Sequence, residues 1–197
     1  MARERKRTRL SAADRREQLL DVAAELVRDS GFLALSMESV AQRAGVSKGL
    51  GYAYFENADA LALALYDREV GALYREVEAA VSAASGFEAR VRAGVHVYLD
   101  VVAERGALIG ALEVRMQGRW FRRAGRKRVG QFLAFWAEQI ERELGVTPEV
   151  AAALAAAKTS AVDACARAAR RRKLPRAQVE SLCVDFALGG LLRAASV

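Results

Sequence analysis

Cysteine, proline and histidine are almost absent: the 197 residues hold two cysteines, two prolines and one histidine. Cys165 and Cys183 have neither metal-ligand spacing nor a partner framework, which excludes a disulfide-stapled domain and a zinc module; they read as core thiols. With His96 alone and acids at no set spacing from it, the chain offers no catalytic constellation. It contains no P-loop, Gly-x-Ser-x-Gly, His-Glu-x-x-His or Rossmann fingerprint, so neither enzyme activity, metal nor cofactor is expected. His96 itself reads as a surface residue, with a hydrogen-bonding role in a pocket as the alternative. So few prolines in a chain that is 53% apolar and rich in alanine and leucine leave long stretches without a helix breaker. The expected fold is all-helical. Also missing is any apolar run near the roughly 20 residues that span a bilayer. The charged, polar start does not read as a secretory signal, and the expectation is a soluble, cytoplasmic protein.

Acid is the scarcer charge. Thirty-one Lys and Arg against 24 Asp and Glu give a net charge of +7, which suits a polyanionic partner. The excess is clustered. Arg3, Arg5, Lys6, Arg7 and Arg9 stand beside one acid, Glu4, as an arm that either reaches a minor groove and neutralises phosphates or serves as a solubilising tail. From Arg115 to Arg128 seven cations occur without an acid. A third group, Arg167, Arg170, Arg171, Arg172 and Lys173, falls where a helix should end and complements its dipole.

The most informative stretch runs from Ser36 to Phe55. Ser36 suits an N-cap, and Met37, Val40, Ala41 and Ala44 follow at helical spacing for one buried face. Gly45 can take the left-handed conformation that ends this helix and lets another leave steeply a few residues later. Ser47 caps that second helix, whose early positions, Lys48, Gly49, Leu50, Tyr52 and Ala53, would face base edges and phosphates in a major groove. Tyr54 completes the candidate surface.

Val-Ala-Gln-Arg-Ala-Gly-Val-Ser-Lys-Gly followed by Tyr-x-Tyr-Phe resembles the DNA-binding domain of the TetR family of one-component transcriptional regulators, over roughly residues 11 to 66. The resemblance implies that Tyr52 contacts a phosphate and that Ser47, Lys48, Gly49 and Ala53 line the groove. It also marks departures. Gly51 stands where the family usually buries a leucine, and Glu56 and Ala58 where lysines are common. Two glycines in one short helix each cost about 1 kcal/mol relative to alanine.

Around this motif, Ser11 and Asp14 should open a first helix with a stripe of Leu19, Leu20, Ala23, Leu26 and Val27, ending at Ser30-Gly31. Asn57 should cap a long fourth helix carrying Leu61, Leu65, Val70, Leu73, Val77 and Val81. At that length it is shared between a head and a second unit, and can act as a lever between ligand and DNA. Ser82 to Gly86 breaks the chain. A fifth helix is expected from Phe87 to Arg105 with Gly106 as terminator, then a short segment to Arg115, a helix to Leu144, another from Thr147-Pro148-Glu149, and a last from Pro175. The final two, rich in small residues and including Gly189-Gly190, suit a symmetric four-helix interface, which is the dimer that the family resemblance implies.

The expected protein is all-α with about nine helices. Residues 1–56 form an N-terminal basic arm and three-helix head with a helix-turn-helix; residues 57–197 form a helical ligand-binding and dimerisation domain. Tyr98, Leu112, Met116, Trp120, Phe121, Phe132, Trp136 and Asp163 are candidate lining for a cavity there, aromatic walls with a few polar groups being typical of ligand sites. The partners expected are a palindromic double-stranded DNA operator, a small hydrophobic or amphipathic effector and a second copy of the chain, with no membrane. The alternative is a helical ligand-binding protein whose helix-turn-helix no longer reads specific DNA.

Overall fold

A computed structural model of the chain describes residues 10–115 and 119–194, without the side chains of 115–126. The basic arm and Met116 therefore lie outside the described residues, as do the side chains of Trp120 and Phe121. The described chain is helical throughout: α1 (Ala12–Ser30), a short 3-10 turn at Phe32–Ala34, α2 (Met37–Ala44), α3 (Lys48–Tyr54), α4 (Ala58–Ala83), α5 (Phe87–Arg115), α6 (Arg119–Leu144), α7 (Pro148–Arg171) and α8 (Arg176–Ala194). Among the described residues no helix is long and apolar enough to cross a membrane.

Among the described residues there are eight α-helices where the sequence suggested about nine, because Gly106 does not end α5. An isolated glycine costs a helix only about 1 kcal/mol, and this one has a packing reason. A Cβ there would stand 3.1 Å from Val102 Cγ1 and 3.3 Å from Arg170 Nη1, so the bare backbone makes room for the arginine.

Two compact units emerge. The first, the head, takes in the chain up to Arg68 together with the stretch of α5 from Ala107. Ser11 opens α1, its hydroxyl accepting the Asp14 N–H at 3.1 Å and donating to the Asp14 carboxylate at 2.7 Å. Leu19, Leu20, Ala23, Ala24, Leu26 and Val27 of α1 are buried, as are Leu35, Met37, Val40, Ala41, Phe55, Leu61, Leu65, Leu108 and Leu112. Two arginines brace the helices from outside: Arg43 of α2 bonds Asp29 at 2.6 Å, and Arg68 of α4 bonds Asp21 at 2.7 Å. Asn57 caps α4, accepting the Ala60 N–H at 2.8 Å.

The second unit, the body, holds the rest of α4 and α5 with α6, α7 and α8. Its core joins Leu73, Val77 and Val81 of α4, Val91, Val95 and Leu99 of α5, Phe132, Trp136 and Ile140 of α6 and the alanine stripe of α7 to Val179, Cys183, Val184 and Leu191 of α8. Tyr74 stacks on Phe132, ring centres 4.2 Å apart. Helix α7 ends with Lys173 left-handed (φ 55°) and the Leu174 N–H returning to the Ala169 carbonyl at 3.2 Å. The cysteines face each other across α7 and α8, and burial, with the Cys165 thiol alongside, pushes Cys183 up to about 12.

Gly94 of α5 is a close-approach site: a Cβ there would lie 2.8 Å from Trp136 Cζ2 and 3.1 Å from Val81 Cγ2. The indole is fully buried, so accommodating a methyl there requires a shift in the core. Gly94→Ala should therefore lower stability by about 1–2 kcal/mol, overpacking outweighing the gain in helix propensity, as measured by chemical denaturation.

Candidate functional site

Three side-chain caps and one glycine build the arrangement of α2 and α3. The Ser36 hydroxyl accepts the Ser39 N–H at 3.0 Å, and Ser39 Oγ accepts the Ser36 N–H at 3.0 Å, a reciprocal pair that satisfies two orphan donors at the start of α2. Ser39 also donates to the Ala34 carbonyl at 2.7 Å, tying the 3-10 turn to the helix. At the other end Gly45 is left-handed (φ 66°, ψ 36°), and the Val46 N–H reaches back to the Ala41 carbonyl at 3.0 Å. Ser47 then caps α3, accepting the Leu50 N–H at 3.2 Å.

This geometry sorts the residues of α3 by face. Gly51 is buried against α2, and Phe55, just beyond the helix, is buried with the Arg16 guanidinium 5.3 Å above its ring. On the opposite side Ser47, Lys48, Gly49, Leu50, Tyr52 and Ala53 are exposed, while Tyr54 is half-buried. Ser36 is exposed at the start of α2. Tyr52 keeps 47% of its surface accessible and Leu50 36%, so both can be reached by a partner. The Lys48 ammonium sits 3.9 Å from the Glu38 carboxylate, both largely in solvent. Such a pair is worth little, so Lys48 is readily released to another anion. Glu38 is a contributor that sequence reasoning passed over. It lies in the first turn of α2, ten residues from Lys48, and only the bend at Gly45 brings them together.

In the body, Tyr98 donates to Asp163 at 2.6 Å, and Asp163 is also paired with Arg167. Phe132 and Trp136 are buried in the same core. Leu112, by contrast, is fully buried within the head. His96 is exposed, its ring nitrogens 3.1 Å from Glu180 and 3.3 Å from Asp100. It borders an open groove of about 420 Å³ with Ala80, Ala93, Val97 and Glu180. Arg176 joins this network, bonding Asp100 at 2.7 Å and the His96 carbonyl at 3.0 Å, so these groups tie α8 to α5. From the basic run, Lys127 is exposed and Arg128 lies over Gly71, whose added Cβ would be 2.8 Å from Nη1. One residue that sequence reasoning missed is Lys158, buried on α7 against Trp136.

A short helix presenting small, apolar and hydrogen-bonding side chains from a capped, bent helix pair has the arrangement of a helix-turn-helix. Residues 19–65 match the family model of bacterial regulatory proteins, tetR family. The head therefore carries a segment similar to the DNA-binding domain of that family. The chain is 37% identical over 98 residues to the HTH-type transcriptional activator FasR of Mycolicibacterium smegmatis, covering 50% of this chain and 45% of FasR. It is 36% identical over 83 residues to the HTH-type transcriptional regulator BetI of Rhizobium meliloti, covering 42% and 41%. The chain thus spans under half the length of these relatives. The fold is shared more widely: a TetR-like regulator from Rhodococcus sp. RHA1 superposes with a TM-score of 0.69 at 24% identity, over 93% of this chain and 98% of that one. FadR of Bacillus subtilis, solved in complex with stearoyl-CoA, gives 0.69 at 16% identity, over 90% and 98%.

The bare position at Gly51 has a measurable consequence. A Cβ there would sit 3.4 Å from Met37 Cε and 3.9 Å from Ala41 Cβ, ordinary contact distances. Gly51→Ala should stabilise the protein by about 0.5–1 kcal/mol through helix propensity and apolar contact, without touching the exposed face; thermal melts and duplex titrations check both parts.

Proposed function

We propose that the protein is a homodimeric repressor that binds a palindromic operator through α3 and leaves it when a small hydrophobic or amphipathic effector enters the body. The exposed set on α3 is the observation that carries this reading. In this reading Lys48 donates to guanine, Leu50 and Ala53 meet thymine methyls, and Tyr52 donates its hydroxyl to a phosphate, a short and weakly polar reading set. Ser36 and Ser47 are both exposed at helix N-termini, where phosphate is favoured.

The dimer is supported by α8, which leaves Leu182 46% and Phe186 68% exposed beside Gly189 and Gly190, with open space around both glycines. Apolar side chains next to bare backbone suit a close helix pair across a two-fold axis. Repression follows the HTH-type transcriptional repressor NemR of Escherichia coli, 26% identical over 104 residues. FasR, an activator by name, gives the opposite sign. An amphipathic effector accords with the stearoyl-CoA of the FadR complex. Helix α4 contributes to both units, so a ligand that shifts its body half changes the spacing of two recognition helices in a dimer.

Selection of bound duplexes from a random pool at about physiological salt tests this reading, since phosphate-driven binding falls steeply with salt. A palindrome with half-sites one helical turn or more apart supports it; salt-sensitive binding with no enriched sequence means that α3 does not read DNA. On the selected duplex, Lys48→Ala should cost roughly 1–3 kcal/mol and relax preference at one base pair, whereas Tyr52→Phe should weaken all duplexes alike. Phe186→Asp should convert the dimer to monomer in sedimentation velocity and abolish palindrome binding while the monomer stays folded; an unchanged dimer would place the interface elsewhere.

A further inference from the structure

Helix α7 buries a regular stripe, Ala151, Ala155, Lys158, Val162, Ala166 and Ala169, and one of its members is a lysine. Lys158 is only 8% exposed. Its ammonium lies 2.9 Å from the centre of the Trp136 ring, and among the described residues no carboxylate, carbonyl or hydroxyl accepts a hydrogen bond from it. Asp163, the next acid along α7, is held by Tyr98 and Arg167. Trp136 is fully buried, and among the described residues its indole Nε1 has no acceptor and Thr159 Oγ1, next to Lys158 in sequence on α7, has no partner. Burial alone, with no compensating charge, drives the lysine well below the ordinary ammonium range.

A structural role does not account for this arrangement. A methionine would fill the same stripe without desolvating an amine, and a ring face replaces only part of the hydration that the ammonium gives up. Buried polar groups are normally paired, and each exception calls for a cause. Here the unpaired groups are donors that lack an acceptor. A group bearing anionic oxygen supplies what is missing, and the core cluster that holds Trp136, with Val81, Val95 and Phe132 in it and Tyr74 packed against it, is apolar and aromatic.

We propose that Lys158 is the anion-binding group of the effector site, and that the effector is an amphipathic monocarboxylate. Its carboxylate accepts hydrogen bonds from the Lys158 ammonium and the Trp136 indole N–H, and its hydrocarbon part packs against Val95, Tyr74 and Phe132. This rests on the reading of the body as an effector-binding unit. Because burial disfavours the charged amine, carboxylate binding restores the charge and draws a proton from solution.

Calorimetry on the full chain with decanoate, decan-1-ol and decylammonium as probes tests the assignment. Decanoate should bind the wild type about tenfold or more tightly than the alcohol, a charge-assisted hydrogen bond being about twice as strong as a neutral one. Decylammonium should bind least. Titrations in buffers of different ionisation enthalpy should show proton uptake with decanoate in the wild type and none in Lys158→Met. That variant should prefer the alcohol and, without ligand, melt a few degrees higher, because it no longer buries an unpaired amine. Equal binding of acid and alcohol, no binding of any probe, or a Lys158→Met protein that melts lower and keeps the wild-type preference would each overturn the proposal. Adding operator duplex separates the two readings. Carboxylate binding that leaves the duplex bound keeps the Lys158 site and removes effector release. Release by decan-1-ol as readily as by decanoate keeps effector release and removes the Lys158 assignment.

Discussion

The left-handed turn at Gly45 is the constraint on which the DNA-binding head depends. Helix α3 has seven residues, two of them glycine, and a helix of that length is not stable alone in water. It persists because its first turn is capped by Ser47, its buried face rests on α2, and the Gly45 turn sets the angle at which the two meet. A residue with a Cβ at Gly45 would strain that backbone. The consequence would be felt at Lys48, Leu50, Tyr52 and Ala53, whose exposure together is a product of the bend and not of their own preferences.

The head and the body differ in how they treat polar groups. In the head, arginines at the periphery answer acids that are themselves exposed, and the interior is aliphatic with one phenyl ring. Among the described residues Arg105 Nε, Trp136 Nε1 and Thr159 Oγ1 are buried without a hydrogen-bond partner, and these three atoms belong to the body. The body also buries Glu69 and Lys158. A unit that needs only to hold one shape gains nothing from such groups, which cost more than apolar replacements. A unit whose contents change with a ligand has a use for them, because their unmet bonds are what a ligand can satisfy.

What could be read from the sequence was what depends on near neighbours. Caps at Ser11, Ser36, Ser47, Asn57 and Thr147, the stop at Gly45 and the break before Phe87 involve groups three or four residues apart, and each is in place. What could not be read depends on distant contacts. Gly106 looks like a terminator in one dimension and proves to be a gap for Arg170. The motif ends at Phe55, but the compact unit around it also takes in the start of α4 and the last residues of α5, through Leu61, Leu65, Leu108 and Leu112. Lys158 was legible in principle: it falls at i+3 from Ala155 and i−4 from Val162, inside a heptad-like stripe. Reading the stripe for apolar residues alone passed over the one member that was not.

The short reading set on α3 and the uncovered apolar surface on α8 belong to one requirement under the proposed dimer. A single α3 offers one cationic donor, two small apolar contacts and a phosphate contact. At about 1–3 kcal/mol for each good base contact, a lone copy discriminates weakly against a genome of competing sites. Two copies related by a two-fold axis double that discrimination in free energy, which multiplies the two ratios, and add a spacing condition that neither copy imposes alone. Exposed phenyl and leucyl groups on α8 are a liability for a monomer. They are the cost of obtaining, by association, a specificity that seven residues of helix cannot supply.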